Sequence, residues 1–501
     1  MDTLLGSLTS VSLVGALLAL LLVYLSPWSW SKTKKREPPG PRPLPLLGNL
    51  LQLDLKGPQN TMMKLHKEFG SVFQILLGPK KVVVLAGVQT LQEALVDHGE
   101  EFGHRDAPRI MQEISQGHGV VWPNGPSWRE MKGFCVAALQ DFGAGPTACE
   151  ERILEESQQL VAAIRELGGE PFQTAGPLTL AACNAICLVV LGRRFQYDDP
   201  QFATMVERYR QVPLLAGSPS LQLYNLLPSL GKWIRNRQEL LDICKQNQEQ
   251  CVELLAPLRD SLEPQISRSL VDAFLIKKKN LEQDSGDTDS HYHDENLNAT
   301  VQNLIGAGTD ATGTTLRWAL LFMAKFPHIQ DQVQQELSSV TGGRQVRLQD
   351  RINLPLSNAV IHETQRFANI APISVPHRTS RDVTFQGHII EKGTTVIPLL
   401  TSAHFDPHQW DTPHSFNPAH FLDPDGRFVL REAFLPFSAG QRGCAGQHLA
   451  KSILFIFFTS LLQQFRFTPP PGVSEEQLDL SPRQLPFLSP QHHTLCARQL
   501  C

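Results

Sequence analysis

The apolar positions of this chain change their spacing along its length, and the changes predict its elements. Residues 4–25 are uncharged and dominated by Leu, Val and Ala, and at about 1.5 Å per residue such a run spans a bilayer core of roughly 30 Å. Residues 72–77 and 81–85 flank Gly78-Pro79 and predict a small β hairpin. The polar, acidic stretch 282–295 predicts an exposed loop. Behind it, residues 296–325 form one long, mainly apolar run, too apolar for a surface, which predicts a helix through the core. Short β-branched segments broken by Gly387 and Gly393 predict a second small sheet over residues 384–400. Residues 449–465 predict a last buried helix. The fold class is therefore mainly α with small β sheets (α+β). No internal repeat and no break in composition divides residues 44–501.

The first segment reads as a transmembrane anchor over residues 1–30. Trp28 and Trp30 follow the apolar run at interface depth, and Lys32, Lys34, Lys35 and Arg36 place everything after them on the cytoplasmic side. The alternative is a cleaved signal peptide, which the length of the run, the position of the charges and the lack of a small-residue cleavage site disfavour. Residues 31–43 are a basic, proline-rich hinge, because Pro38, Pro39, Pro41 and Pro43 lack the amide donor a helix needs. In this orientation the sequon Asn298-Ala299-Thr300 would be silent.

Composition narrows the function classes. With 42% apolar and 19% charged residues the chain is no disordered polymer, and its net charge of -4 argues against nucleic acid as the main partner. Nine cysteines are too few for a disulfide framework and read as reduced thiols. Cys183 and Cys187 share a helix face without further ligands at metal spacing, so core packing is their reading. Gly143-Ala144-Gly145 reads as a turn, since it lacks the strand and acidic residue of a dinucleotide fingerprint.

The chemistry concentrates in Phe437-Ser438-Ala439-Gly440-Gln441-Arg442-Gly443-Cys444-Ala445-Gly446, a glycine-rich loop directly before the last buried helix. Amides at a helix start stabilise a thiolate on Cys444, and Arg442 can pair with a carboxylate. This decapeptide resembles the Phe-x-x-Gly-x-Arg-x-Cys-x-Gly haem signature of cytochromes P-450, with every fixed position present. Further landmarks resemble the same family in chain order. Glu363 and Arg366 match its Glu-x-x-Arg, and His420 stands where an Arg usually completes the trio, which implies a pH-sensitive pairing. Trp128 and Lys132 match its Trp-x-x-x-Arg haem-propionate contacts, with Lys keeping the charge but losing the planar fork; a surface lysine is the alternative. His377 resembles the third propionate contact. Ala307-Gly308-Thr309-Asp310-Ala311-Thr312 resembles its oxygen-binding motif, except that Ala311 replaces the first threonine and Thr312 lies about 100° around the helix. Asp310 as an ordinary helix-surface acid is the bland alternative.

The resemblance extends over nearly the whole chain and is closest to the microsomal family two, with residues 324–330 similar to its K-type subfamily. It implies a cytochrome P-450 fold with haem b bound through Cys444 as the metal ligand, and Phe437, Arg442, Trp128, Lys132 and His377 around the cofactor. It implies a monooxygenase at the endoplasmic reticulum membrane, its catalytic domain facing the cytosol. Dioxygen and NADPH electrons would come to it through a flavoprotein reductase, with cytochrome b5 an optional second donor. Lipophilic substrates such as xenobiotics, fatty acids or steroids would meet residues 114–122, 213–233, 303–311, 371–375 and 486–488. Asp310, Ala311 and Thr312 are the catalytic candidates. An isomerase or peroxide-driven enzyme remains a rival because of Ala311, and a haem-free lipid-binding scaffold is a second.

Overall fold

The computed structural model describes residues 36–54, 56–143, 148–285, 291–483 and 487–500. The predicted anchor, residues 1–30, lies outside them, as do the start of the hinge and most of the Gly143-Ala144-Gly145 turn. Among the described residues no helix is long and apolar enough to cross a membrane. The described residues divide into two compact units, the smaller made of those in 36–104 and 373–399 and the larger of those in 105–372 and 400–500.

The smaller unit is built on the predicted hairpin. Val72–Leu77 and Lys80–Leu85 pair antiparallel from Val72 opposite Leu85 to Leu77 opposite Lys80. Phe73, Ile75, Val82 and Val84 bury against Met62 of the Pro58–Phe69 helix. The Gln74 amide donates to the Pro39 carbonyl (2.7 Å), so the proline segment lies along the hairpin's free edge. The predicted second sheet is in fact two structures. Val383–Phe385 and His388–Ile390 form a hairpin of their own, whereas Thr395–Pro398 joins the first sheet, parallel to Lys80–Leu85. A parallel partner some three hundred residues away leaves no local signature, because no turn joins the strands. His377 sits in this unit, buried, its Nδ1–H donating to the Phe102 carbonyl (2.7 Å).

The larger unit is helical and organised around one element. Asp294–Lys325 is the predicted long helix, and every residue from Thr312 to Ala324 in it is buried. It packs closely on the Ala175–Val190 helix, where a Cβ on Gly308 would lie 2.7 Å from the Ile186 side chain and force it to shift. Cys183 and Cys187 are fully buried there, as core packing requires. The Gln447–Gln464 helix is buried along most of its length, as its apolar run predicts. The acidic stretch before the long helix is less of a loop than expected. The Leu270–Ser285 helix runs into it, and Asp294 and Glu295 already form the first turn of the long helix, where negative side chains complement the helix dipole.

Two histidines of the larger unit are buried neutral. Burial pushes both His362 and His404 down to about 3; the first lies among the rings of Phe421, Phe428 and Phe434, with centroids 4.6–5.5 Å away. Their folded values lie below the unfolded value of about 6.5. The stability they confer is therefore complete above about pH 6.5 and declines as pH falls toward 3, by about 1.4 kcal/mol per pH unit for each histidine. In chemical denaturation between pH 6.5 and 5, His362→Phe is expected to flatten the slope of stability against pH by about that one-histidine increment. An unchanged slope would show that His362 does not stay neutral in the fold.

Candidate functional site

The Cys444 loop is placed by its own backbone. The Cys444 amide donates to the Phe437 carbonyl (2.9 Å), the Gly443 amide to the Gly440 carbonyl (3.0 Å), and the Gln447–Gln464 helix begins three residues after the cysteine. Cys444 is exposed to solvent-sized access, yet surrounding protein is the largest influence on its thiol and raises its pKa. Together these describe a thiol at the floor of an open recess. The Gly446 N–H and the charge of Lys132 act in the opposite direction and favour the thiolate.

Three cations gather near this loop. The Arg442 guanidinium stacks 3.3 Å from the centre of the Trp128 ring and donates to the Pro123 carbonyl (2.9 Å) and Asn124 Oδ1 (2.7 Å). Arg105 donates to the Arg442 carbonyl (3.2 Å), and its own amide donates to Asn124 Oδ1 (2.7 Å). Burial, reinforced by Arg105, lowers Arg442 to about 8, and burial lowers Arg105 to about 10. Lys132 falls to about 8 through burial and the repulsion of both arginines. Burial is the largest cause of all three shifts, and a bound group carrying carboxylates would oppose it. The donors therefore fit a haem: an open thiol for iron and buried cations for propionates.

Lys132 sits in this cluster but is engaged elsewhere. Its ammonium donates to the carbonyls of Gln441 and Gly443 (the latter 3.0 Å), so it braces the cysteine loop from outside. Phe437 is half-buried, its ring centre 5.5 Å from the Lys451 ammonium. His377 belongs to the smaller unit and is described there.

The predicted Glu363, Arg366 and His420 trio is assembled and buried. Both charged side chains have no exposed surface. Arg366 makes two 2.7 Å bonds to the carboxylate and donates its remaining hydrogens to the carbonyls of His404 (2.7 Å), Pro413 (2.9 Å) and Ser415 (3.1 Å). Glu363 also accepts the Asn417 amide (2.8 Å). His420 Nε2 accepts the Thr412 amide (3.2 Å), which leaves the proton on Nδ1, 3.3 Å from both carboxylate oxygens.

On the long helix the motif residues diverge. Ala307 is exposed and Ala311 half-exposed, one turn apart on an open face. Thr312 is buried on the face that carries Gly308, toward the Ala175–Val190 helix, so its hydroxyl is turned away from that open face. Thr309 is spent on its own helix, donating to the Ile305 carbonyl (2.6 Å). Asp310 lines a cavity of about 430 Å³. Burial raises its carboxyl pKa, and Arg210 and Arg317 partly oppose that.

Val121, Trp122, Pro213, Ala307 and Phe487 bring four of the five expected segments to this cavity, and no residue of 371–375 lines it. Sequence reasoning missed its other walls. Tyr209, and Leu241 and Cys244 of the Arg235–Asp260 helix, also face it, and nothing in their local pattern distinguishes a cavity wall from a core face. The same holds for Arg105 and Asn124. Asn298 lines the cavity and Thr300 is fully buried, so the folded sequon is closed to modification.

A family model described as cytochrome P450 matches residues 38–496. The chain is 52% identical to cytochrome P450 2K1 of Oncorhynchus mykiss over 497 residues, 99% of this chain and 98% of that protein. It is 48% identical to cytochrome P450 2K6 of Danio rerio over 91% of this chain and 90% of that protein. Cytochrome P450 2F2 of Rattus norvegicus is 41% identical over 94% and 95% of the two chains.

Removing one charge of a fully buried pair strands the other. Glu363→Gln and Arg366→Met are each expected to lose about 3–5 kcal/mol in denaturant titrations. A loss below about 1 kcal/mol would place the pair in a solvated, energetically minor setting.

Proposed function

The chain belongs to the cytochrome P450 family, whose members are haem-thiolate monooxygenases, and from that premise we propose that it hydroxylates lipophilic substrates at a haem b held by Cys444. Xenobiotics, fatty acids and steroids are the substrate classes. NADPH supplies electrons through a flavoprotein reductase, with cytochrome b5 an optional second donor. Residues 1–30 anchor the protein in the endoplasmic reticulum membrane, residues 31–43 form the hinge, and residues 44–501 face the cytosol. Exposed Leu214, Leu223, Leu227 and Trp233 support a further contact with that membrane.

The observation that carries this reading is the open Cys444 thiol at a helix start beside a cluster of cations whose pKa values burial lowers. When bound, haem supplies dioxygen activation, delivering one oxygen atom to the substrate and the other to water, with two electrons and two protons. The residues then divide the remaining work. Cys444 donates electron density, favoured as thiolate by the Gly446 amide and Lys132. Arg442 and Arg105 would pair with the haem propionates, while Trp128 stacks on the Arg442 guanidinium and steadies it. Lys132 holds the cysteine loop. Ala307 and Ala311 leave room for dioxygen. The cavity orients substrate and excludes bulk water, its apolar walls favouring lipophilic molecules.

Proton delivery is the weak point of this arrangement. Asp310, its carboxyl raised by burial, can hold a proton at the cavity wall. Ala311 offers no hydroxyl to pass it on, and Thr312 faces the helix interface. The same observation favours a second reading, an isomerase or peroxide-driven reaction that needs no relay.

With purified reductase, NADPH, and a fatty acid and a steroid as probes, the wild type is expected to release much of its consumed oxygen as hydrogen peroxide. Ala311→Thr should raise product per NADPH severalfold. No change in that ratio would sink the relay argument, and turnover indifferent to NADPH would favour the second reading.

A further inference from the structure

The wall of the cavity formed by residues 117–122 has no regular structure of its own. Gln116, Gly117 and Gly119 all have positive φ (48°, 84° and 89°), so the chain here turns repeatedly. The His118 amide still donates to the Ser115 carbonyl (2.8 Å) at the end of the preceding helix, and the amides of residues 119–121 turn to side chains. Such amides need acceptors from elsewhere. Asn296 and Asn303 provide them. Asn296 Oδ1 accepts the Gly119 amide (2.9 Å), and Asn303 Oδ1 accepts the Val120 and Val121 amides (3.1 and 3.3 Å).

We propose that Asn303, assisted by Asn296, is a positioning residue that fixes the 117–122 segment against the long helix and so sets which ligands the cavity accepts. The inference rests on reading this cavity as the substrate site. Seven residues are nearly two full turns, so both asparagines point from one face of the Asp294–Lys325 helix. The Asn296 amide group is oriented by its own donor side, which bonds the His291 carbonyl (2.8 Å) and Ser127 Oγ (3.2 Å). Contact is as close as the chain allows. A Cβ on Gly119 would lie 2.5 Å from Asn303 Oδ1, so only glycine lets the segment reach its acceptors.

The consequence reaches the cavity directly. His118, Val121 and Trp122 line it on the segment side, and Asn303 lines it on the helix side. Two consecutive amides held by one oxygen fix both the distance of the segment from the helix and its rotation. Without that oxygen the segment can swing, and the space beside Ala307 and Asp310 changes shape while the packed helices stay in place.

The test uses the full-length, haem-loaded protein and two iron-coordinating probes, unsubstituted imidazole and the bulky azole clotrimazole, with spectral titration. Asn303→Leu removes the acceptor at similar size, whereas Asn303→Asp keeps an oxygen there. For Asn303→Leu the clotrimazole Kd is expected to shift about tenfold, the worth of an unmet buried donor, with imidazole affinity shifting far less. Asn303→Asp should restore near wild-type discrimination. Hydrogen exchange gives a reading independent of the haem: the Gly119–Val121 amides should exchange at least about tenfold faster in Asn303→Leu, with the Gln447–Gln464 helix unaffected. Equal shifts for both probes, or unchanged exchange in the segment, would overturn the positioning role. If neither probe binds the wild type, the cavity reading itself fails and takes the inference with it.

Discussion

The larger unit depends on an ion pair that has no access to water. Moving a carboxylate and a guanidinium out of solvent costs several kcal/mol per ion, and Glu363 and Arg366 meet that cost only because nothing on either is left over. All five guanidinium hydrogens find acceptors, and the carboxylate takes the Asn417 amide and the His420 proton besides. The pair is thereby a joint. It draws the carbonyls of His404, Pro413 and Ser415 onto the Pro355–Ala368 helix. His404 in turn accepts the Leu435 amide, Leu435 accepts the Ser438 amide, and Phe437 accepts the Cys444 amide. A line of hydrogen bonds thus runs from the buried pair to the cysteine loop, and the neutral state of His404 keeps one of its links intact.

At the far end of that line the electrostatics reverse. The pair is balanced charge in the dark of the protein, whereas burial lowers the pKa of Arg105, Lys132 and Arg442 beside an open thiol. Lys132 shows how one residue change redistributes roles. An arginine's planar fork could meet a carboxylate, but the ammonium here reaches the carbonyls of Gln441 and Gly443. Its charge still favours the thiolate, and its hydrogens stiffen the loop that carries it.

Much of this was legible in the residues because the family's chemistry is written in short motifs. The Cys444 loop, the Glu363 and Arg366 spacing, the long apolar helix and the first hairpin are local patterns, and local patterns survive without coordinates. The position of Thr312 followed from helix geometry alone. What escaped was non-local. The parallel pairing of Thr395–Pro398 with Lys80–Leu85 has no turn to announce it. Arg105 and Asn124 reach the cation cluster from outside any motif, and Tyr209 and the Arg235–Asp260 helix became cavity walls through tertiary packing. Asn296 and Asn303 look in the sequence like polar interruptions of an apolar run. Only the neighbouring segment, whose amides they accept, explains them.

The central claim is that Cys444, as thiolate, would hold the haem iron. The most direct measurement is the visible spectrum of the dithionite-reduced, carbon monoxide-treated protein beside that of Cys444→Ser. The account predicts a strongly red-shifted Soret band in the wild type that disappears in the variant while haem can still bind. A folded, haem-containing wild type without that band would contradict the ligand assignment and the oxygen chemistry built on it.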